Sequence, residues 1–301
     1  MTASVTVAAP AKINLQLGVG AARADGYHSL ATVYQAIGLY DEVTVACAEE
    51  TTLEVVSDGV DVSDVPTDSS NLALRAAALL ASRAGNDARV AMSIRKRIPV
   101  AGGMAGGSTD AAGALVACDA LWGLQTPRED LLSLGAELGS DVPFCLLGGT
   151  VTGTGRGEVV AEAADTGEYW WVVALPGGGL STPAVFGEFD RLSGAEVPEP
   201  EISRALLDAL SAGSTLEVAG LLSNDLEAPA LSLRPDLADV LAQGRAAGAL
   251  AAMVSGSGPT CLVLAADEPG AVRIRDVLAR AGVSALVARG PVPGAHVVTP
   301  L

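Results

Sequence analysis

Two short stretches carry the side chains best suited to chemistry. One is Pro10-Ala11-Lys12-Ile13-Asn14-Leu15 and the other is Gly139-Ser140-Asp141-Val142-Pro143-Phe144. Strand alternation sets Lys12 and Asn14 on one face, with Ile13 and Leu15 on the other. That polar face is either a solvated surface or the wall of a site. Asp141 follows a helical stretch and lies among small and apolar residues. An aspartate so placed is a helix cap or a working carboxylate, and taken alone the spacing favours the cap. The chain has sixteen arginines but only two lysines, Lys12 and Lys96. A lysine in such company is a candidate for a place that needs a compact charge.

A third stretch supplies the complementary chemistry. Between Ile98 and Ala112 the chain packs Gly102, Gly103, Gly106 and Gly107 ahead of Ser108, Thr109 and Asp110. A strand precedes this cluster and an alanine-rich helix follows it. Strand, glycine loop and helix start together make an anion cradle, because the free amides of a first helical turn point at a phosphate. The loop is not a P-loop, since no lysine follows Gly107, and it lacks the G-x-G-x-x-G spacing of a dinucleotide site. Backbone amides then carry the phosphate contact, with Ser108 or Thr109 offering a hydroxyl to a metal ion. The competing reading is a flexible surface loop. Arg95, Lys96 and Arg97 lie just upstream and read mainly as a solvated strand end.

Further along, Arg23-Ala24-Asp25-Gly26-Tyr27-His28 is a turn followed by an aromatic and one of only two histidines. Such a pair is commonly structural, but near a phosphate site it offers a stacking face and a switchable donor.

The elements that must position these groups follow from periodicity. Strands are expected at 4–8 and 12–19, split by Pro10, then at 27–37 and 39–46. Residues 51–68 read as polar strand and loop. A helix over 71–83 has Ser69 or Ser70 as its cap. A strand at 88–94 leads into the glycine loop, and a buried helix runs over 111–121. A helix at 127–138 follows, with Pro127 at its start. A hairpin turns at Gly155-Arg156-Gly157, and 169–175 is a fully apolar strand. A loop holding Ser181-Thr182-Pro183 and Phe186 leads into a helix that ends near Leu192, and further helices are expected at 201–211, 215–222 and 235–247. The tail alternates strand, Ser255-Gly256-Ser257-Gly258-Pro259-Thr260 turn, strand, helix and strand, as an α+β layer does. That turn is a plain hairpin or a second wall against the phosphate loop.

Composition narrows the function. The chain has 301 residues, half of them apolar, which suits one large or two medium domains with a good core. The net charge of −17 and pI of about 4.4 argue against a nucleic-acid partner. An anionic small molecule remains compatible if positive charge is focused locally. Cys47, Cys118, Cys145 and Cys261 form no C-x-x-C pair and read as reduced thiols of a cytoplasmic protein. The first residues lack the basic start of a signal peptide, and no apolar run reaches membrane-span length.

Taken together, Pro10 to Asn14, Pro99 to Ala112 and Val254 to Thr260 resemble the GHMP family of small-molecule kinases in order and spacing, over nearly the whole chain. Arg23 to His28, Gly139 to Phe144 and Asn224-Asp225-Leu226-Glu227 resemble the branch that acts on a cytidine diphosphate-linked methylerythritol in the non-mevalonate route to isoprenoids. The resemblance implies an α+β fold of two domains, a ribosomal-protein-like N-terminal domain (1–165) and a ferredoxin-like C-terminal domain (166–301). It implies ATP and Mg²⁺ as cofactors, a small-molecule substrate, no nucleic acid, no membrane, and a monomer or homodimer. ATP phosphates would lie on Pro99, Val100, Ala101, Gly102, Gly103, Met104, Ala105, Gly106, Gly107, Ser108 and Thr109. Asp141 would match the catalytic base and Lys12 its partner. Asn14, Tyr27, His28, Thr182 and Phe186 would hold the substrate, with the cytosine stacked by Tyr27 and Phe186. No metal ligand is assigned. The family's loop commonly reads Gly-Leu-Gly-Gly-Gly-Ser-Ser, so Ala105 adds a methyl to it.

The same residues leave room for rivals: a family kinase acting on homoserine, mevalonate or a sugar, a decarboxylase of this fold, or a non-catalytic nucleotide-binding module.

Overall fold

The computed structural model describes residues 4–87, 89–100, 102–194 and 197–298. Two long antiparallel strands, β1 (Ser4–Ala22) and β2 (His28–Cys47), form its backbone. The breaks expected at Pro10 and near residue 38 do not occur. Pro10 has no N–H for the ladder, and the register shifts between Pro10 and Ala11, so a bulge absorbs it.

The chain continues through β3 (Thr52–Ser57), α1 (Leu72–Ala84), β4 (Val90–Lys96), α2 (Gly106–Trp122), α3 (Arg128–Leu138), α4 (Val142–Leu147), β5 (Thr150–Thr154) and β6 (Val159–Glu162). The cap of α1 is Asn71, whose side chain accepts the N–H of Ala73, rather than Ser69 or Ser70. Helix α2 starts five residues earlier than expected, inside the glycine cluster. Ala105 takes the left-handed conformation there, with φ 59°, and turns the chain into the helix. The helix lies directly on the sheet: a Cβ at Gly113 would sit 2.8 Å from Val43 Cγ2. Only glycine permits that approach.

The rest comprises β7 (Tyr169–Leu175), α5 (Thr182–Ser193), α6 (Arg204–Ala212), α7 (Thr215–Leu221), β8 (Ser223–Asn224), α8 (Glu227–Leu233), α9 (Asp236–Ala246), β9 (Ala251–Val254), β10 (Cys261–Ala265), α10 (Glu268–Arg280), β11 (Ser284–Gly290) and β12 (His296–Val297). The short elements β8, α8 and β12 carry no periodicity long enough to read in sequence.

The first sheet runs β12-β1-β2-β4-β3, with β5 on β2, β6 on β5 and β8 on β1. The second runs β11-β7-β10-β9, all antiparallel. Helices follow β7 and β10, so the second unit has the β-α-β-β-α-β order of a ferredoxin-like layer. The α+β expectation holds. The expected limit at 165/166 falls in the connector between β6 and β7, although β8 and β12 return to the first sheet.

Three apolar clusters hold this together. One lies between the first sheet and α1, α2 and α4, and a second between the second sheet and α9 and α10. A third joins the two sheets through Ile13, Leu15, Val33, Trp171, Val173 and Leu262. Each large side chain buried there contributes about 1.5–3 kcal/mol. Gln35 Oε1 accepts the Trp171 indole N–H at 2.9 Å across the same seam. The inward face of β1 is thereby pinned, which fixes the direction of Lys12 and Asn14 on its other face.

Candidate active site

Lys12 and Asp141 meet. Lys12 Nζ lies 3.6 Å from Asp141 Oδ1, with side chains 9% and 30% exposed. Asp141 does occupy the N-cap position of α4, but its carboxylate makes no capping bond. It is free to face Lys12 instead. The Lys12 ammonium also sits 4.7 Å from the centre of the Tyr34 ring. Burial, followed by the Asp141 charge, pushes the Tyr34 hydroxyl well above its ordinary value. Tyr34 therefore stays a neutral phenol beside the pair.

The glycine loop is joined to this pair by backbone, since Lys12 N–H donates to Met104 O at 3.3 Å. The amides of Gly106, Gly107 and Ser108 open α2 and have no helical partner. A cavity of about 360 Å³ lies over them. Pro99, Val100, Gly102, Gly103, Met104, Ala105, Gly106, Gly107 and Ser108 line it, opposite Asp64 to Pro66 and Ser70 to Leu72. Ala101 lies outside the described residues. Thr109 does not reach the cavity. It is fully buried, and its hydroxyl donates to Pro10 O at 3.1 Å. Of the two hydroxyls expected to face a metal ion, Ser108 alone lines the space.

The Ser255 to Thr260 turn is the second wall. A Cβ at Gly103 would lie 3.2 Å from Ser255 O, and one at Gly102 3.1 Å from Thr260 Oγ1. At Gly103 backbone thus meets backbone, while at Gly102 the Thr260 hydroxyl fills the gap between the turns.

On the far side of the loop is a second cavity, also about 360 Å³, which shares Gly103 and Ala105 with the first. Lys12, Asn14, Asp141, Thr182 and Phe186 line it. Asn14 is oriented by its surroundings. Its Nδ2 donates to Thr32 Oγ1 at 2.7 Å, while Thr32 itself donates to Gln16 O. That leaves Asn14 Oδ1 buried without a partner, an acceptor held ready in the cavity wall. Thr182 Oγ1 lies 2.8 Å from Ser257 Oγ, tying α5 to the second turn.

Tyr27 and His28 are not lining residues. Tyr27 is 55% exposed, and the Arg156 guanidinium lies 4.8 Å from its ring centre. His28 is buried behind Phe186, with ring centres 4.9 Å apart and Nε2 2.8 Å from Asp190 Oδ1. Its nitrogen is spent on Asp190, so it supports Phe186 rather than facing the cavity.

Lys96 departs most from expectation. It is 2% exposed rather than solvated. Its Nζ bridges Asp41 and Asp110 Oδ2, the latter at 2.7 Å, and reaches Gly106 O at 3.3 Å. Asp41 Oδ1 accepts the N–H groups of Arg97 and Ile98 at 2.6 and 2.9 Å. Both ends of the loop are therefore anchored to one buried ionic cluster. Burial alone would lower Lys96, but the Asp110 and Asp41 charges hold it above its ordinary value. Burial, with Asp41 alongside, pushes Asp110 well above the usual carboxylate range. The signal was present in β4. Val90, Met92 and Ile94 alternate inward, and the same count puts Lys96 inside and Arg95 and Arg97 outside.

Among the described residues, no group of three His, Cys, Asp or Glu forms a metal cage. No helix is long and apolar enough to cross a membrane.

Known proteins resemble this chain in sequence and in fold. Residues 71–149 match the model of the GHMP kinases N terminal domain, and residues 206–284 match that of the GHMP kinases C terminal. A 4-diphosphocytidyl-2-C-methyl-D-erythritol kinase of Streptomyces avermitilis is 56% identical over 298 residues, covering 98% of this chain and all of the relative. A crystal structure of a 4-(cytidine 5'-diphospho)-2C-methyl-D-erythritol kinase aligns with TM-score 0.75 at 35% identity, over 94% of this chain and 98% of that one. A homoserine kinase from Cytophaga hutchinsonii aligns with TM-score 0.76 at 18% identity, over 99% of this chain and 98% of that one, which speaks for the fold alone.

Proposed function

This chain belongs to the GHMP kinases, and from that premise we propose that it transfers the γ-phosphoryl group of ATP to the C2 hydroxyl of 4-diphosphocytidyl-2-C-methyl-D-erythritol. The observation that carries the reading is the pair of cavities on either side of one glycine turn, with Lys12 and Asp141 where they meet. A nucleotide in one and an alcohol in the other would face each other across Gly103 and Ala105. The relative of S. avermitilis, covered end to end, bears the name of the same activity.

Each group has a role that its surroundings support. The unpaired amides at the start of α2 would receive ATP phosphates, helped by the helix dipole. The transfer makes little bond to the nucleophile early, so alignment and charge stabilisation supply most of the rate. Asp141 would align the tertiary hydroxyl and accept its proton. Lys12 would stabilise charge developing on the transferring group. Asn14 Oδ1, unpartnered and fixed in direction, would accept from a second hydroxyl of the polyol. Phe186, backed by His28, would offer a face to the cytosine, and Thr182 would lie between.

A hard cation needs oxygen donors, and the Ser108 hydroxyl lines the nucleotide cavity with no hydrogen-bond partner among the described residues. Ser108 would therefore help hold Mg²⁺, and the ion would neutralise phosphate charge when bound. We place the domain limit at 165/166.

The test is a coupled ATPase assay with the cytidine diphosphate acceptor, with and without Mg²⁺, against homoserine and mevalonate as controls. Turnover with the cytidine acceptor is expected. Turnover with a control alone would refute the substrate, and none with any alcohol would leave a nucleotide-binding module.

A further inference from the structure

We propose that Arg156 is the residue that recognises the diphosphate bridge of the acceptor and so separates this substrate from uncharged polyols. The inference rests on the cytidine diphosphate reading given above. Such an acceptor has three chemically different parts, a hydroxylated chain, a diphosphate and a flat base. Asp141 marks the place of the chain and Phe186 that of the base. The diphosphate must lie between them, and in a protein of net charge −17 it needs a local cation. Of the residues lining this cavity only Lys12 and Arg156 are cationic, and Lys12 is already 3.6 Å from Asp141.

The fold presents Arg156 with care. It is the tip of the β5–β6 hairpin, flanked by Gly155 and Gly157 at φ 72° and 102°. A Cβ at Gly157 would lie only 2.2 Å from the Tyr34 hydroxyl. The turn therefore seats on Tyr34, the ring beneath Lys12, and cannot do so with a side chain at 157. The guanidinium rests on the Tyr27 ring, which fixes its plane. Glu158 is the nearby anion, 4.0 Å away, but its carboxylate accepts the Arg156 backbone N–H at 2.6 Å and so serves the turn. The Arg156 side chain is 41% exposed and lines the cavity. A planar fork of this kind pairs with phosphate oxygens through two parallel bonds. Tyr27 then acts through Arg156 as a positioning residue, which accounts for an exposed aromatic outside the lining.

The experiment compares cytidine diphosphate with cytidine as ligands of the full chain, by titration calorimetry across a salt series. The wild type is expected to prefer the diphosphate by roughly ten- to a hundredfold, the range of a charge-assisted hydrogen bond. Arg156→Ala should lose that preference and its salt dependence while cytidine binding and the KM for ATP stay within about twofold. Arg156→Lys, which keeps charge without the fork, should restore part of it. An Arg156→Ala protein that still binds ATP and keeps the full preference would overturn the proposal. A wild type that prefers the diphosphate but phosphorylates no cytidine acceptor would instead sink the functional reading, so the two failures are distinct.

Discussion

Replacing Lys96 with methionine keeps the length of the side chain and takes the cation out from between Asp41 and Asp110. The three side chains are 2%, 0% and 4% exposed, and the cluster meets open space only where Lys96 and Asp110 border the nucleotide cavity. Removing one partner of a buried ionic cluster costs about 3–5 kcal/mol, against a usual total of about 5–15 kcal/mol. Asp110, already pushed upward, takes a proton and relieves part of the repulsion, so the lower end applies. A loss of about 3 kcal/mol lowers the melting midpoint by about 6–12 °C in a protein of this size class. The local effect is directional. Lys96 holds Gly106 O and Asp41 holds the amides of Arg97 and Ile98, so both ends of the phosphate loop slacken. The KM for ATP should rise more than the KM for the acceptor. Arg95→Met is the control, because Arg95 is 53% exposed and 3.7 Å from Glu42, a pair worth about 1 kcal/mol or less. The double variant Lys96→Met with Asp110→Leu should recover part of the stability, since one of the two stranded carboxylates is gone and Asp41 keeps the N–H groups of Arg97 and Ile98. Calorimetric melting and initial rates read both effects. A Lys96→Met midpoint within about 2 °C of the Arg95→Met midpoint would refute the argument.

Other perturbations test the remaining parts. Asp141→Asn and Lys12→Ala should each lower kcat by about 10²–10⁴-fold while calorimetry still detects ATP binding; near-normal turnover in either would remove that residue from the chemistry. Ala105→Gly should stabilise the chain by about 0.5–1 kcal/mol, because a left-handed residue with a Cβ is strained at φ 59°. An unchanged or lower urea midpoint would mean that the loop does not hold that conformation in solution. For Asp110 the folded value is raised, so the stability tied to its protonated form is complete below 3.8 and lost as pH rises through that raised value. In urea unfolding, the stability of the wild type relative to Asp110→Asn should fall as pH rises, and a difference that does not change with pH would remove Asp110 from the effect.

What the sequence made legible was whatever rests on local pattern. The glycine cluster, the alternation of Lys12 against Ile13 and the span of α1 all survive in three dimensions. Residues fixed by distant partners were hidden. Pro10 reads as a break because the bulge that shelters it is made by Tyr40 and its neighbours on β2. His28 looks like a free donor until Asp190 is found beside it, 162 positions along the chain. Lys96 was misjudged for a different reason. The alternation of β4 pointed inward, but a charged residue is costly to bury unless partners exist, and those partners are Asp41 and Asp110 from two other elements. Helix α2 defied its glycines because Ala105, not composition, fixes where it starts.

The turn from Gly103 to Ala105 is a party wall between two compartments, which the proposed function assigns to two different ligands. An inhibitor that straddled it would lean on main-chain atoms, which point mutation cannot delete. A variant that remodelled the wall to escape such a compound would disturb its own donor and acceptor together. Resistance would have to arise farther out, at the hairpin tip or along α5, where only one ligand is touched.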